Sequence, residues 1–180
     1  MIFVTVGTQL PFDRLVRAID QWAKEHRDQN ICAQVAASGL TPQHIATHAF
    51  LSPSDHRRLF SAAELIVSHA GIGSIAMALE LQKPIIVMPR RADLHEHRND
   101  HQQGTAMRFA SMGYVNAAYS EVELWTLLDQ YQAGHLPSHR YVDAAAESDI
   151  VVAVRHFLSE TEIAMQAKLP SLKRTVESAP

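Results

Sequence analysis

The chain has 180 residues, a length that predicts one domain followed by a tail. Its composition, with 47% apolar and 19% charged residues, is that of a soluble globular protein, and a net charge of −3 gives no reason to expect nucleic-acid binding. The single cysteine, Cys32, excludes an internal disulfide, and the lack of a membrane-spanning apolar run and of a basic leader predicts a cytoplasmic location.

Strands alternate with helices along the sequence. Predicted strands cover Met1–Val6, Asn30–Ala37, His44–Leu51, Leu65–Val67, Pro84–Met88 and Tyr114–Ala117. Predicted helices run from Phe12 through Trp22, over Pro53–Ala63, through Ile75–Leu79, over His97–Ser111 and Ser120–Gln130, and from Asp143 or Ser148 to Lys168. This alternation predicts an α/β fold with a mostly parallel, Rossmann-like sheet of about six strands flanked by helices. We expect the domain to span residues 1–168 and residues 169–180 to form a flexible tail.

One turn between a predicted strand and a predicted helix has the composition of a phosphate site. It reads Ser-His-Ala-Gly-Ile-Gly-Ser over residues 68–74. A helix that begins there directs free backbone N–H groups and a partial positive charge at one spot, and the glycines allow a ligand to approach the main chain. The same glycines also fit a turn that binds nothing, so the turn alone leaves both interpretations open.

Three polar loops follow predicted strands, over residues 7–11, 68–74 and 89–103. In a parallel sheet the ligand site lies outside the carboxyl ends of the strands, where such loops meet. We therefore expect the three loops to converge, which favours a binding function for the central turn.

The loop over residues 89–103 is the most polar stretch of the chain, and one interpretation of it is a metal site. His95, His97, Asp100 and His101 resemble the H-x-H-x-D-H pattern of metallo-β-lactamase hydrolases. The spacing is one residue too long for that pattern, which turns Asp100 and His101 away from the roles it requires. The sequence therefore predicts no metal.

A second interpretation of the same loop is an anion site. Its arginines, Arg90, Arg91 and Arg98, suit anionic ligand groups, and Asn99, Gln102 and Gln103 suit hydroxyl groups. The third interpretation is a solvated charged loop ahead of a helix.

Four sequence blocks, taken together, resemble glycosyltransferase family 28. The blocks are V-T-V-G-T at residues 4–8, A-x-x-x-x-S-H-A-G-x-G-S at 63–74, K-P-I-x-V-x-P at 83–89, and N-x-H-Q at 99–102 ahead of M-G-Y at 112–114. The resemblance is to the nucleotide-sugar-binding half of GT-B enzymes of the MurG type, and in particular to single-domain subunits of exopolysaccharide and dolichol-linked GlcNAc transferases. It implies that the chain is a single GT-B half.

The resemblance also implies roles for individual residues. Gly7 and Thr8 border either the diphosphate of the donor or the closing acceptor half, and Phe50 and Leu51 recognise uracil. The residues from 69 to 74 hold the diphosphate, and the Asn99 to Gln102 segment faces the sugar. With the arginines of the polar loop, the predicted donor-binding residues are Gly7, Thr8, Phe50, Leu51, Ala70, Gly71, Ile72, Gly73, Ser74, Arg90, Arg98, Asn99, His101 and Gln102, and the predicted catalytic residue is His69. One position departs from the family pattern: Met77 stands where many relatives have a glutamate that holds the ribose hydroxyls.

The function implied is that of the donor-binding, catalytic subunit of a two-component inverting glycosyltransferase. Such an enzyme moves a sugar from a UDP-sugar to a lipid-linked acceptor in polysaccharide or glycolipid synthesis. A GT-B enzyme has two domains around its cleft and this chain has length for one, so we expect a membrane-anchored partner that holds the acceptor and recruits the chain to the inner face of the membrane. No cofactor is expected, because a helix dipole and side chains can stabilise the leaving diphosphate.

Three points stay open at the level of sequence. The general base is either His69 or a group of the partner, and a protonated His69 would help to stabilise the diphosphate. The loop arginines either indicate an acidic donor such as UDP-glucuronate or face the partner. The alternative function is a non-catalytic sugar-nucleotide-binding or structural subunit of an exopolysaccharide assembly, which the presence of Met77 favours and the polar loop opposes.

Overall fold

A computed structural model describes residues 1–137 as an alternation of strands and helices. The strands are β1 (Ile2–Thr5), β2 (Ile31–Gln34), β3 (Ala46–His48), β4 (Leu65–His69), β5 (Ile85–Met88) and β6 (Asn116–Ala117). The helices are α1 (Asp13–Glu25), α2 (Pro53–Ala62), α3 (Ile72–Glu80), α4 (His101–Ser111) and α5 (Glu121–Gln132). The predicted helix from Asp143 or Ser148 to Lys168, the predicted end of the domain at residue 168 and the tail over residues 169–180 lie outside the described residues.

The six strands form one parallel sheet in the order β3-β2-β1-β4-β5-β6. The central strand β1 has a neighbour on each side, with Val4 opposite Ala33 of β2 and Val67 of β4. Parallel neighbours require crossover connections, and the helices between the strands supply them. The predicted α/β, Rossmann-like fold is confirmed.

The core forms because the central strands are apolar on both faces. In β1, Ile2 and Val4 join the cluster under α1 and α5, whereas Phe3 points to the opposite face and meets Phe60 of α2 edge-to-face at 6.0 Å. All of these side chains are at most 1% exposed. Each contributes about 1.5–3 kcal/mol of transfer free energy on burial, so the two covered faces stabilise the sheet that carries the loops.

Helices α1 and α5 are fastened to each other by polar contacts as well as by apolar packing. Trp22 Nε1 donates to Asp129 Oδ1 at 2.7 Å, and Trp125 Nε1 donates to the carbonyl of Ala18 at 2.9 Å. The two indoles thus bury their rings and still satisfy their N–H groups. Within the described residues, no helix is long and apolar enough to cross a bilayer.

Serine side chains begin two of the helices, as predicted. Ser52 Oγ accepts from the N–H of Asp55 at 3.1 Å at the start of α2, and Ser120 Oγ accepts from the N–H of Glu123 at 3.2 Å at the start of α5. Ser120 and Glu123 have the spacing of a capping box, but the reciprocal bond is displaced by one residue, because Glu123 Oε2 accepts from the N–H of Tyr119 rather than from that of Ser120.

Several predicted elements are longer than the observed ones, and two of these differences lie near the cleft loops. Helix α4 begins at His101 instead of His97, because the residues before it form turns in which Asp100 Oδ1 accepts from the N–H of Ala92 at 2.9 Å and from Gln103 Nε2 at 2.8 Å. The strand predicted over residues 44–51 is reduced to Ala46–His48, an exposed edge strand. Phe50 and Leu51 consequently lie in the connection to α2.

Candidate functional site

The three polar loops converge on one cleft at the carboxyl ends of β1, β2, β4 and β5. Its volume is about 440 Å³. The lining residues are Thr5, Val6, Gly7, Thr8, Gln9, Leu10, Gln34, His56, His69, Gly71, Gly73, Ser74, Met77, Arg90, His97, His101 and Gln102. The predicted convergence of the loops is therefore confirmed, and the lining contains four imidazoles and no carboxylate.

The first turn of α3 forms one wall of this cleft and is built to receive an anion. Gly71 is the N-cap residue, and no side chain accepts a hydrogen bond from the N–H groups of the first turn. The N–H of Ser74 donates to the carbonyl of Gly71 at 3.1 Å. The N–H groups of Ile72 and Gly73 and the positive end of the helix dipole are available to a ligand. A Cβ built on Gly73 would have no atom within 4 Å, so this glycine leaves open space for a ligand beside the helix start.

The other two glycines of the cleft serve a side chain instead. Gly7 has φ +79°, and a Cβ there would lie 2.9 Å from Cε1 of His69. A Cβ on Gly71 would lie even closer to the same imidazole. The sequence assigned the glycines of the central turn to ligand approach, which fits Gly73, whereas Gly71 and Gly7 make room for the ring of His69.

His69 is a neutral imidazole at pH 7. Burial lowers its pKa to about 4, assisted by the positive charge of Arg90 and by His97, and a backbone hydrogen bond to Thr5 only partly opposes this shift. The predicted help from a protonated His69 in stabilising a diphosphate is therefore absent from the free protein near pH 7, because burial of the ring disfavours its charged form.

The hydrogen bonds around His69 also assign its tautomer. Ser68 Oγ donates its single proton to the carbonyl of Thr5 at 3.1 Å and lies 3.2 Å from His69 Nδ1. If the serine proton goes to the Thr5 carbonyl, Nδ1–H of the imidazole is the donor in the second contact. In that tautomer His69 Nε2 carries the lone pair, on the side of the ring that faces Gly71.

Arg90 lies beneath the cleft with its guanidinium directed at main-chain oxygens. Nη1 donates to the carbonyl of Pro11 at 2.6 Å, and Nη2 donates to those of Val6 at 2.9 Å and Leu10 at 2.7 Å. Both terminal nitrogens are thus engaged by main-chain oxygens, and the predicted role of Arg90 in holding anionic ligand groups stays a prediction. Arg91, another candidate for that role, pairs instead with Asp93 at 2.6 Å.

The start of α4 forms the opposite wall of the cleft. Gln102 is buried, and its Oε1 accepts from the N–H of Arg90 at 3.2 Å. His101 Nδ1 hydrogen-bonds to Asn99 Oδ1, and the ring of His97 meets that of His101 edge-on with centroids 4.6 Å apart. Burial, followed by His97 and the nearby Arg98, lowers the pKa of His101.

Comparison with known proteins decides what kind of domain carries this cleft. The sequence model of the glycosyltransferase family 28 C-terminal domain matches residues 1–153. The chain belongs to this family. The predicted family resemblance is therefore confirmed.

Two curated relatives share part of this family 28 domain. Over 63 residues the chain is 43% identical to the UDP-N-acetylglucosamine transferase subunit ALG13 of Eremothecium gossypii, which covers 35% of this chain and 29% of that protein. Over 92 residues it is 34% identical to the UDP-N-acetylglucosamine--N-acetylmuramyl-(pentapeptide) pyrophosphoryl-undecaprenol N-acetylglucosamine transferase of Phocaeicola vulgatus, which covers 51% of this chain and 24% of that protein. The chain thus spans less than a third of the length of each.

A solved structure supports the same fold. The solution structure of ALG13 superposes with a TM-score of 0.55 at 23% identity, over 76% of this chain and 87% of that chain. At this level of identity the likeness concerns the fold, and it agrees with the prediction that the chain is one GT-B half.

The predicted donor-binding residues of the family 28 domain divide into two groups. Those that line the cleft are Gly7, Thr8, Gly71, Gly73, Ser74, Arg90, His101 and Gln102, together with the predicted catalytic His69. Those outside the lining are Phe50, Leu51, Ala70, Ile72, Arg98 and Asn99. Phe50 is 58% exposed beyond the end of β3, and Ala70 is buried, so its side chain offers no ligand surface. The binding roles of all these residues remain predictions.

Sequence reasoning missed several lining residues, of which Gln34 and His97 are the most informative. Gln34 Nε2 donates to the carbonyl of Gly7 at 3.2 Å, while its Oε1 is buried without a hydrogen-bond partner among the described residues. His97 Nδ1 is likewise buried and unpartnered in that part of the chain. The signal for Gln34 was a polar residue at the end of the apolar strand β2, and His97 had been weighed only as a metal ligand.

Of the four residues of the metal-like pattern, His97 and His101 meet, and the other two do not join them. Asp100 is occupied by main-chain and amide donors, and His95 is exposed with φ +58° in a turn. In the portion of the chain that the structure describes, no three histidine, cysteine or acidic side chains are arranged to hold a metal ion.

Proposed function

We propose that this chain is the donor-binding, catalytic subunit of a two-component inverting glycosyltransferase that moves a sugar from a UDP-sugar to a lipid-linked acceptor. The observation that carries the proposal is the uncapped start of α3 in a carboxylate-free cleft, with open space at Gly73 and the imidazole of His69 beside it. This combination suits the diphosphate of a nucleotide sugar, and membership of family 28 supports it.

The chemistry follows from placing the diphosphate at the start of α3. The acceptor hydroxyl attacks the anomeric carbon of the sugar, the bond from that carbon to the diphosphate oxygen breaks, and the configuration inverts. The first-turn N–H groups stabilise the negative charge that develops on the departing UDP. We assign His69 as the catalytic residue, because its free Nε2 can accept the proton of the acceptor hydroxyl.

The bound donor is expected to improve His69 as a proton acceptor. In the free protein its pKa is about 4, which makes it a weak base. The negative charge of a diphosphate beside the ring favours the protonated form and so raises this pKa towards the operating pH. The acceptor and the partner are then required only to complete a site that the donor has already activated.

The acceptor side of the enzyme is assigned to a membrane-anchored partner. The name of one of the two curated relatives describes a subunit. Leu10 and Leu94, in the loops that border the cleft, are 43% and 46% exposed, which suits a surface that a second protein covers. We place the working complex at the cytoplasmic face of a membrane, where the partner holds the lipid-linked acceptor.

A specific observation favours a second function, that of a non-catalytic sugar-nucleotide-binding or structural subunit. Met77 lines the cleft where many relatives carry a glutamate, and a thioether cannot accept the ribose hydrogen bonds in its place. A chain with this function would bind a nucleotide, or nothing, and would add no catalytic group to the assembly.

Calorimetric titration with UDP, UDP-GlcNAc, UDP-glucuronate and GDP tests the proposal. We expect a uridine nucleotide to bind the wild-type chain and Gly73→Asp to abolish binding, because the new carboxylate would enter the diphosphate space. Gly104→Asp is the matched control, since Gly104 lies on α4 outside the cleft lining and also has open space around its Cβ position.

Catalysis is tested with the co-expressed complex. Transfer that His69→Gln abolishes, with UDP binding retained, would support the enzyme. Transfer that His69→Gln leaves unchanged would remove the assigned base, and binding without any transfer would favour the second function.

A further inference from the structure

Arg90 carries a buried positive charge that no acidic group neutralises directly. Among residues 1–137 it is the only charged residue in the buried class, with 2% exposure. The guanidinium donates hydrogen bonds to main-chain carbonyl oxygens, and the ring of Phe12 lies 4.7 Å from the guanidinium carbon. A buried cation is costly unless it is paired, so this charge requires a compensating group.

The nearest acidic side chain is already committed to another arginine. Glu96 accepts from Arg14 at Nε, 2.6 Å away, and at Nη2, 2.9 Å away, and it also accepts from the N–H of Arg91. Arg90 meets only the main-chain oxygen of Glu96, at 3.4 Å. Arg14 also lies 3.9 Å from Glu121 Oε2. The carboxylates of this group therefore contact Arg14, and none contacts the guanidinium of Arg90 beneath the cleft.

The carbonyl contacts of Arg90 also shape the cleft wall. Val6, Leu10 and Pro11 turn their oxygens toward the guanidinium, so the chain between them bends around it. Gly7, with φ +79°, makes this bend possible and lies in the cleft lining. The side chain that follows β5 thus orders the turn that follows β1.

We propose that Arg90 is a positioning residue of the donor site: it fixes the turn from Val6 to Pro11 and places beneath the diphosphate a buried positive charge that no carboxylate contacts, without contacting the donor itself. The inference rests on the proposed function for the identity of the ligand, although its anion component does not require a nucleotide. Loss of the carbonyl contacts should loosen the turn, whereas loss of the charge should weaken anion binding. Two substitutions separate these effects.

Arg90→Lys keeps the charge but cannot hold carbonyls with a planar fork, whereas Arg90→Met removes both. We expect amide hydrogen exchange at Gly7 to Leu10 to accelerate in both variants without any ligand. We expect the Kd for UDP and for inorganic pyrophosphate to rise by about tenfold more in Arg90→Met than in Arg90→Lys. The Kd for uridine, measured by NMR titration, should differ little between the two. Arg91→Met is the matched control, because it removes the neighbouring charge from an exposed pair with Asp93.

Several results would overturn the inference. If the exchange rates at Gly7 to Leu10 are unchanged in both variants, Arg90 does not order the turn. If both variants only lower the Tm, and the ratio of UDP to uridine affinity stays at the wild-type value, the residue is merely structural. If the wild-type chain binds neither UDP nor pyrophosphate, there is no anion to match the charge. Binding of pyrophosphate that Arg90→Met weakens, without recognition of uridine, would support Arg90 and contradict the proposed function instead.

Discussion

A Cβ built on Gly71 would lie 2.2 Å from Nε2 of His69, closer than any real contact allows. The imidazole of His69 therefore requires a glycine at position 71, because any side chain there would occupy the space of the ring. Since Gly71 is also the N-cap of α3, the start of the helix and the position of the imidazole are determined by one residue.

Gly71→Ala is accordingly expected to displace the imidazole and to destabilise the protein. Overpacking of this kind costs about 1–3 kcal/mol, and the free energy of unfolding in urea measures it. The ring signals of His69 in the NMR spectrum should shift at the same time. Gly73→Ala is the matched control in the same helix, because its Cβ would meet open space and alanine has the higher helix propensity. Equal stabilities for the two variants would show that position 71 does not constrain the ring.

The lowered pKa of His69 predicts a specific loss of stability in acid. Its folded-state pKa of about 4 lies below the ordinary histidine pKa of 6.5, so the unfolded chain binds a proton more readily. The contribution is fully present above pH 6.5 and is lost as the pH falls toward 4, with a size of up to about 3 kcal/mol. Between pH 7 and pH 4, the free energy of unfolding of the wild type should fall by up to about 3 kcal/mol more than that of His69→Gln. Parallel pH profiles for the two proteins would contradict the assignment.

The sequence predicted the fold and the convergence of the loops, because both follow from alternation and apolar patterning. It also located the central turn. It did not show that Gly71 makes room for the ring of His69 or that the guanidinium of Arg90 meets main-chain oxygens, since such contacts join residues on different elements or far apart in the chain. Local pattern carries no information on such contacts. For the same reason Gln34, which reaches Gly7 from a neighbouring strand, was missed.

Arg14 and Glu96 form a half-buried salt bridge, and Arg57 and Glu80 form an exposed one with the same distance between nitrogen and oxygen. Arg14 Nε lies 2.6 Å from Glu96 Oε1 with both side chains 12% exposed, and Arg57 Nη2 lies 2.6 Å from Glu80 Oε1 with exposures of 53% and 56%. Double-mutant cycles to methionine should give a coupling energy of about 1–3 kcal/mol for the first pair and below about 1 kcal/mol for the second. The difference arises because solvent screens the exposed charges. Equal coupling energies would mean that partial burial does not strengthen the salt bridge between Arg14 and Glu96.

Donor binding is expected to draw a proton onto His69. A bound diphosphate raises the low pKa of the ring, so the complex binds more protons than the free protein in the range from pH 5 to 7. Affinity should therefore increase as the pH falls, and this gain should disappear as the pH rises through the pKa of the complex. Calorimetry in buffers of different ionisation enthalpy measures the uptake directly. A UDP-sugar is the suitable ligand, because its fully esterified diphosphate does not titrate in this range.

His69→Gln isolates the contribution of this ring from that of the other imidazoles in the cleft. The variant should bind the same UDP-sugar with no uptake attributable to position 69, while His97 and His101 remain in place. If wild type and variant take up protons equally, the diphosphate does not lie beside His69. The positive start of α3 would then have to act on the donor without the imidazole, and the general base would belong to the partner.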